Sequence, residues 1–382
     1  MLLRSWYTVP STDVRNRIIR SARTIVVKIG TAALSQANGT LHARRISALA
    51  RQIAELRRRK REVVLVSSGA IGAGVSRAGL PHRPTALPSL QAVAAIGQPA
   101  LMSLYDRTLA RHGLHAAQIL VTRSDFESRQ RYLNIRNTIH ALHELNAVPL
   151  INENDTVAVE EIRFGENDII AAQIANLLRA DLTILLTVVQ GLLDNEGKLV
   201  EFVPSVGDEV LRLANRQRSS LGTGGMITKL QAVRIVTQAG EAAMIADARE
   251  PNVLLRILDG EKIGTVFAPA AKKMSSRQRW IGMTVQPAGR ILVDEGAAAA
   301  LRRGGKSLLA SGIVAVEGMF KREVVVDVVD TNGQRIARGI TNYASKELTT
   351  IKGLKTSHIE QVLGEKPFDE VIHRDDLVLL AE

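Results

Sequence analysis

A chain of 382 residues without cysteine has no disulfide, no thiolate metal site and no cysteine nucleophile, and it is long enough for two compact units with separate cores. Charged residues at 23% and hydrophobic ones at 46% exclude a disordered or fibrous chain, and no apolar run reaches the roughly 18 to 20 residues of a membrane helix. The net charge of +12 belongs wholly to residues 1–279, which carry +13 against −1 for residues 280–382, and much of it is the run Arg57-Arg58-Arg59-Lys60-Arg61. That run closes an expected helix, where cations complement the dipole and face water, so neither nucleic acid nor a membrane is an expected partner.

Residues 1–23 read as an N-terminal extension with five arginines, one acid and a short helix around Asp13 to Arg20. Few serines and weak amphipathicity disfavour the alternative, an organelle transit segment. Thr24 to Ile29, Val63 to Ser67, Ala116 to Thr122, Ala147 to Ile151, Leu182 to Thr187 and Ala242 to Ala246 read as strands. Helical patterns fall between them: Ile46, Leu49, Ile53 and Leu56 recur at helical spacing, and Tyr132 to Leu145 and Asp168 to Leu178 fit helices. This alternation predicts an α/β fold, an open and mainly parallel sheet with helices on both faces. Thr156 to Phe164 alternates with charged residues and suggests an exposed hairpin above the carboxyl ends of the strands, where ligands bind in such sheets.

Ala268 to Gln286 reads as a basic, proline-containing linker or exposed connector. Beyond it, Ile291 to Val293, Gly312 to Val316, Glu323 to Asp330 and Arg335 to Thr341 look like short strands, with a helix at Glu295 to Arg303. The expected organisation is an extension (1–23), a catalytic domain (24–276) and a small β-rich domain (287–382).

Four polar segments each follow a strand. In Lys28-Ile29-Gly30-Thr31 a lysine closes a buried strand before a glycine turn; alone it could be a snorkelling edge residue, but the glycine lets the backbone approach a phosphate that the ammonium neutralises. Ser67-Ser68-Gly69-Ala70-Ile71-Gly72-Ala73-Gly74 offers hydroxyls and amides at a helix start, suited to a carboxylate or phosphate, and its spacing is not a dinucleotide fingerprint. Asn152-Glu153-Asn154-Asp155 and Gly165-Glu166-Asn167-Asp168 bracket the hairpin and suit an ammonium, a magnesium ion or a pair of lysines, although turns use the same residues. Gly222-Thr223-Gly224-Gly225-Met226-Ile227-Thr228-Lys229 resembles a phosphate-cradling loop without P-loop spacing.

Two features are set aside. Gly304-Gly305-Lys306-Ser307 ends like a P-loop but has Ala300 where the first glycine belongs, so it reads as a turn. His112 with His115, and His140 with His143, lack companions at ligand spacing, so surface histidines are expected and no metal-ligand set is assigned.

These parts suit phosphoryl transfer to a carboxylate, which needs no general base because the nucleophile is already an anion. Repulsion between the reactants is the obstacle: two unit charges about 4 Å apart at an effective dielectric of about 20 repel by roughly 4 kcal/mol. Lysines and magnesium relieve it.

At Val27-Lys28-Ile29-Gly30, Val66-Ser67-Ser68-Gly69-Ala70, Ile151-Asn152-Glu153-Asn154-Asp155, Glu166-Asn167-Asp168 and Gly224-Gly225-Met226 with Thr228-Lys229 the sequence resembles the glutamate 5-kinases of the amino-acid kinase fold. The likeness runs from about Thr24 to the C-terminus. Val293-Asp294-Glu295-Gly296-Ala297 and His373-Arg374-Asp375-Asp376 look like the PUA domain that bacterial members append. The resemblance implies that Lys28 and Lys229 stabilise the transferring phosphoryl group with Asp168 orienting them. It implies that Ser68, Asn152, Asp155 and Asn167 bind glutamate. Lys28, Thr187, Val188 and Thr223, Gly224, Gly225, Met226, Ile227, Thr228 and Lys229 would contact ATP. It further implies magnesium, a homo-oligomer, feedback inhibition by proline, a place in proline synthesis and a cytoplasmic location.

One departure stands out. After Leu185-Leu186-Thr187 the family usually has aspartate, then Gly-Leu-Tyr; here Val188 and Gly191-Leu192-Leu193 stand instead, which bears on nucleotide affinity. The nearest rivals are acetylglutamate, aspartate or nucleoside-monophosphate kinases of the same fold. An RNA-binding protein with a degenerate kinase domain is a further rival, opposed by the −1 charge of residues 280–382.

Overall fold

The structure, a computed structural model, describes residues 11–36, 40–158, 166–216, 225–271 and 273–380. The chain divides into two compact units, Met1–Lys273 and Met274–Glu382.

The first unit holds an eight-stranded sheet of β1 (Thr24–Ile29), β2 (Glu62–Ser67), β3 (His115–Val121), β4 (Ala147–Glu153), β5 (Leu182–Thr187), β6 (Phe202–Val203), β7 (Ala242–Asp247) and β8 (Thr265–Phe267). Their order is β3-β4-β2-β1-β5-β7-β8-β6, with only β7–β8 antiparallel. The central strands are nearly continuous apolar runs because both faces are covered. Side chains alternate along β1, so Ile25, Val27 and Ile29 enter one core with Ile46, Leu49 and Ile53 of the helix Ala43–Arg58. Lys28 takes the other face, where the helix Glu166–Leu178 packs across β1 and against the helix Met226–Gln238. The strand order reverses at β1, whose neighbours are β2 and β5, and this puts the ligand crevice at the carboxyl end of β1.

The helix Ser11–Ser21 belongs to this core. Ile19 and Ala22 are fully buried in it, and Arg15, almost wholly buried, donates to the carbonyl of Ile263 at 2.8 Å. Arg61 donates to the carbonyls of Arg20 and Ala22, tying the segment to β2.

The second unit is a five-stranded sheet of β9 (Arg290–Val293), β10 (Ile313–Glu317), β11 (Val325–Val329), β12 (Arg335–Ile340) and β13 (Leu377–Leu379), in the order β10-β9-β11-β12-β13. The stretch 268–286, expected as an exposed connector, is partly interior: Arg279, Ile281, Gly282 and Thr284 are buried, and Arg338 of β12 donates to the carbonyls of Gly282 and Val285. Gly304 and Gly305 take positive φ in a turn, as the sequence suggests. The hairpin expected at 156–164 lies largely outside the described residues, of which Thr156 to Ala158 begin with a turn.

His143 overturns one expectation. It is buried, while His112, His115 and His140 are exposed. The helix Arg129–Glu144 lays it on Arg57, whose guanidinium lies 3.3 Å from its Nδ1 and donates to its carbonyl at 3.0 Å. Burial first, then the Arg57 charge, pushes its pKa down to about 4.

Candidate active site

Three charged side chains from three elements meet at the carboxyl end of β1. Asp168 stands in the first turn of the helix Glu166–Leu178 and is fully buried. Lys28 Nζ of β1 lies 2.6 Å from its Oδ1, an ion pair off the hydrogen-bonding direction. Lys229, in the first turn of the helix Met226–Gln238, donates to Oδ2 at 3.4 Å. One carboxylate thus holds both ammonium groups. Burial lowers the pKa of Lys229, Asp168 pulls it up again, and the charge of Lys28 lowers it. A cluster of two cations and one anion keeps one net positive charge, poised for an anionic ligand in a low-dielectric setting.

Gly30 follows Lys28 with ordinary backbone angles, and a Cβ there would lie 3.5 Å from Lys28 Nζ. Its value is the space it leaves beside the ammonium. Gly69 is different, since its φ of 109° lets Ser68 lead directly into the helix Ala70–Arg77. Gly74 serves packing, as a Cβ would fall 1.7 Å from the carbonyl oxygen of Val93. Ser67 turns inward, 3.1 Å from the Tyr105 hydroxyl, so of the two serines only Ser68 joins the site.

Beside the lysines lies an amide cluster. Asn167 Nδ2 donates to Ser68 Oγ at 2.9 Å and to Asn152 Oδ1 at 3.2 Å. Asn152 Nδ2 donates to Gln98 Oε1 at 2.9 Å. Asp155 is buried in the turn after β4; burial lowers the pKa of Arg83, and the nearby Asp155 charge opposes that shift. Asn154 is occupied with turn chemistry, accepting from Thr156 at 2.6 Å. Ser68, Asn152 and Asn167 are therefore in contact, and Asn167 is the neighbour of Asp168 in the chain. Gln98 is a member that the sequence did not announce.

Of the residues expected at the nucleotide, Thr223 and Gly224 lie outside the described residues. Gly225 caps the helix Met226–Gln238 from an extended conformation, Met226 is buried and Ile227 half-buried. Thr228 donates its hydroxyl proton to the carbonyl of Gly225 at 2.9 Å, leaving only oxygen lone pairs for a ligand. Thr187 ends β5 opposite Asp247 of β7. Asp247 is clamped by Arg249, which also donates to the carbonyl of Val188 at 2.8 Å. An acid does stand at this rim, on the strand next to Val188, with its charge already matched.

No group of three His, Asp or Glu side chains suitable for a metal forms among the described residues. Asp168 turns both oxygens to lysines, so it is not free to ligate magnesium.

A mainly parallel sheet with a lysine-carboxylate-lysine cluster and a helix start at its switch point defines a phosphotransferase of the amino acid kinase family. The chain belongs to that family, which it matches over residues 23–247, and its second unit matches the PUA domain over residues 289–363. Glutamate 5-kinase of Thermoanaerobacter sp. (strain X514) is 47% identical over 362 residues, covering 93% of this chain and 97% of its own. Glutamate 5-kinase of Citrifermentans bemidjiense is 44% identical over 373 residues, covering 96% and 100%. Among solved structures, a carbamate kinase from Giardia lamblia bound to AMP-PNP aligns with a TM-score of 0.47 and 18% identity, covering 65% of this chain and 99% of that one.

Proposed function

We infer that the protein transfers the γ-phosphoryl group of ATP to the side-chain carboxylate of glutamate, forming glutamyl 5-phosphate, the first step of proline synthesis. The observation that carries the reading is the pair of buried ammonium groups on one carboxylate. The carboxylate nucleophile needs no base, and Asp168, the acid beside the two ammonium groups, is held by lysines. Lys28 and Lys229 neutralise charge spread over the equatorial oxygens as the phosphoryl group passes between two anions. Asp168 holds the two lysines on opposite oxygens of one carboxylate and offsets the repulsion between them.

Ser68, Asn152, Asp155 and Asn167 hold the amino acid: a hydroxyl, two amides and a carboxylate suit an ammonium and a carboxylate better than they suit a nucleobase. The rim from Thr187 and Val188 to the helix start at Gly225 receives the nucleotide, with Gly224 and Thr223 preceding it. Magnesium would come with the nucleotide substrate and would supply further charge neutralisation at the phosphates beside Lys28 and Lys229. By kinship the enzyme works as a homo-oligomer in the cytoplasm, with proline competing at the glutamate site. No described helix is long and apolar enough to cross a membrane.

The test is to supply ATP, magnesium and glutamate, trap the acyl phosphate with hydroxylamine, and repeat with aspartate and acetylglutamate. Glutamyl hydroxamate with glutamate alone is the expected product. Preference for either alternative acceptor would assign the site to a sister reaction.

A further inference from the structure

Four side-chain amides run in line through the amino-acid half of the site. Gln98 Nε2 donates to Gln118 Oε1 of β3 at 2.9 Å; Asn152 Nδ2 donates to Gln98 Oε1 at 2.9 Å; Asn167 Nδ2 donates to Asn152 Oδ1 at 3.2 Å. Each amide has a donor end and an acceptor end, so the sense of one bond dictates the next. With its NH2 group committed to Gln98, Asn152 has only its oxygen for Asn167. Asn167 must answer with its own NH2 group, which also serves Ser68 Oγ and the carbonyl of Ser67. Its Oδ1 is left buried, with no hydrogen-bond partner among the described residues. A buried acceptor without a donor is costly, and a cationic N–H donor from a ligand removes that cost.

Gln98 is well placed to set the sense of the relay. The preceding Gly97 brings the helix Leu87–Ala110 against the start of the helix Ala70–Arg77: a Cβ on Gly97 would fall 1.8 Å from the carbonyl oxygen of Ala70. Ala70 follows the Ser68-Gly69 turn, so the helix carrying Gln98 and the loop carrying Ser68 are locked backbone to backbone.

We propose that Gln98 is a positioning residue that fixes the direction of this amide relay, so that Asn167 presents a bare carbonyl oxygen to the α-ammonium group of the bound amino acid. The proposal rests on the glutamate-phosphorylating reading and deepens it. Gln98 itself touches neither reactant. It acts by forbidding the reversed arrangement, in which Asn167 would turn an NH2 group toward the ammonium.

Two substitutions of opposite polarity separate this from size or charge. Gln98→Glu has only acceptors, so it still receives Asn152 Nδ2 while Gln118 turns to donate. Gln98→Lys has only donors, so Asn152 must reverse and turn its NH2 group to Asn167, which can accept it only by reversing as well and giving up its bond to the Ser67 carbonyl. Simple charge predicts the contrary order, because a cation would assist and an anion oppose an anionic substrate. Glutamate affinity, measured by calorimetry, is expected to stay within about threefold in Gln98→Glu and to fall by about tenfold or more in Gln98→Lys, the worth of one lost charge-assisted hydrogen bond. ATP affinity should be unchanged in both.

Should Gln98→Lys melt far below the parent, Gln98→Met serves in its place; it enforces neither sense and is expected to lose affinity between the other two. The reverse order, equal losses or no loss in either variant overturns the relay. Binding is read apart from turnover: a parent protein that binds glutamate but yields no hydroxamate defeats the functional reading and leaves the relay standing, whereas a parent that binds no glutamate defeats both.

Discussion

Lys28 and Lys229 approach opposite oxygens of the same buried carboxylate, at 2.6 Å and 3.4 Å. One lysine comes from the central strand and the other from a helix start three-fifths of the way along the chain. Had the sheet order differed, these ammonium groups would sit on separate rims. Their meeting depends on β1 lying between β2 and β5 and on the helix Glu166–Leu178 crossing that strand.

Asp168 is expected to matter twice. Asp168→Ala leaves two buried cations uncompensated and should cost about 3 to 5 kcal/mol of stability, read by urea denaturation. Asp168→Asn keeps the shape and should cost less, but it removes the charge that raises the pKa of Lys229. The ammonium then loses its proton at lower pH, so the alkaline limb of the activity profile should move to lower pH. An unmoved limb would separate Asp168 from Lys229 function.

Much of this site is legible in the amino-acid sequence because a charged residue in an otherwise apolar strand has few explanations. Lys28 within Thr24–Ile29 is such a residue, and the two-residue alternation of β1 forces it onto the face opposite Ile25, Val27 and Ile29. Gln98 is not legible in the same way. It lies between Gly97 and Pro99, which punctuate the pattern of a helix 24 residues long, and its role depends on a tertiary contact with Asn152. The three glycines after Ser68 look alike in sequence, yet Gly69 answers to backbone angle and Gly74 to helix contact. The division of labour between Ser67 and Ser68 likewise follows from Tyr105, which is distant in the chain.

Gly74→Ala should accordingly destabilise the fold by about 1 to 3 kcal/mol or more, because the new methyl group meets the backbone of Val93 and not a flexible side chain. Gly225→Ala meets nothing closer than 4.0 Å among the described residues and should melt like the parent. Thermal melting of the two variants side by side checks both statements.

The helix Ser11–Ser21 should be indispensable to the first unit. Ile19→Ala opens a cavity in the core it shares with the sheet and should cost about 2 to 5 kcal/mol, measured by chemical denaturation. A change within about 0.5 kcal/mol, the range of ordinary surface substitutions, would mean that the segment is an appendage.

His143 should make stability sensitive to acid. Its folded pKa of about 4 lies below its ordinary 6.5, so between those values the unfolded chain binds more protons and stability falls as pH falls. Arg57, Glu62 and His140 are the charges acting on it. His143→Gln should flatten the decline in melting temperature from pH 6.5 to 4. An identical slope in the variant would show that other groups control the acid limb.

The steady-state constants of Lys28→Met and Lys229→Met test the paired-ammonium account most directly. Each variant should lose about 100-fold or more in kcat for glutamyl hydroxamate, while KM for glutamate changes by no more than a few fold, since the missing charge acts on the transferring phosphoryl group. A kcat within about threefold of the parent in both variants, a change worth well under 1 kcal/mol of barrier, would contradict it.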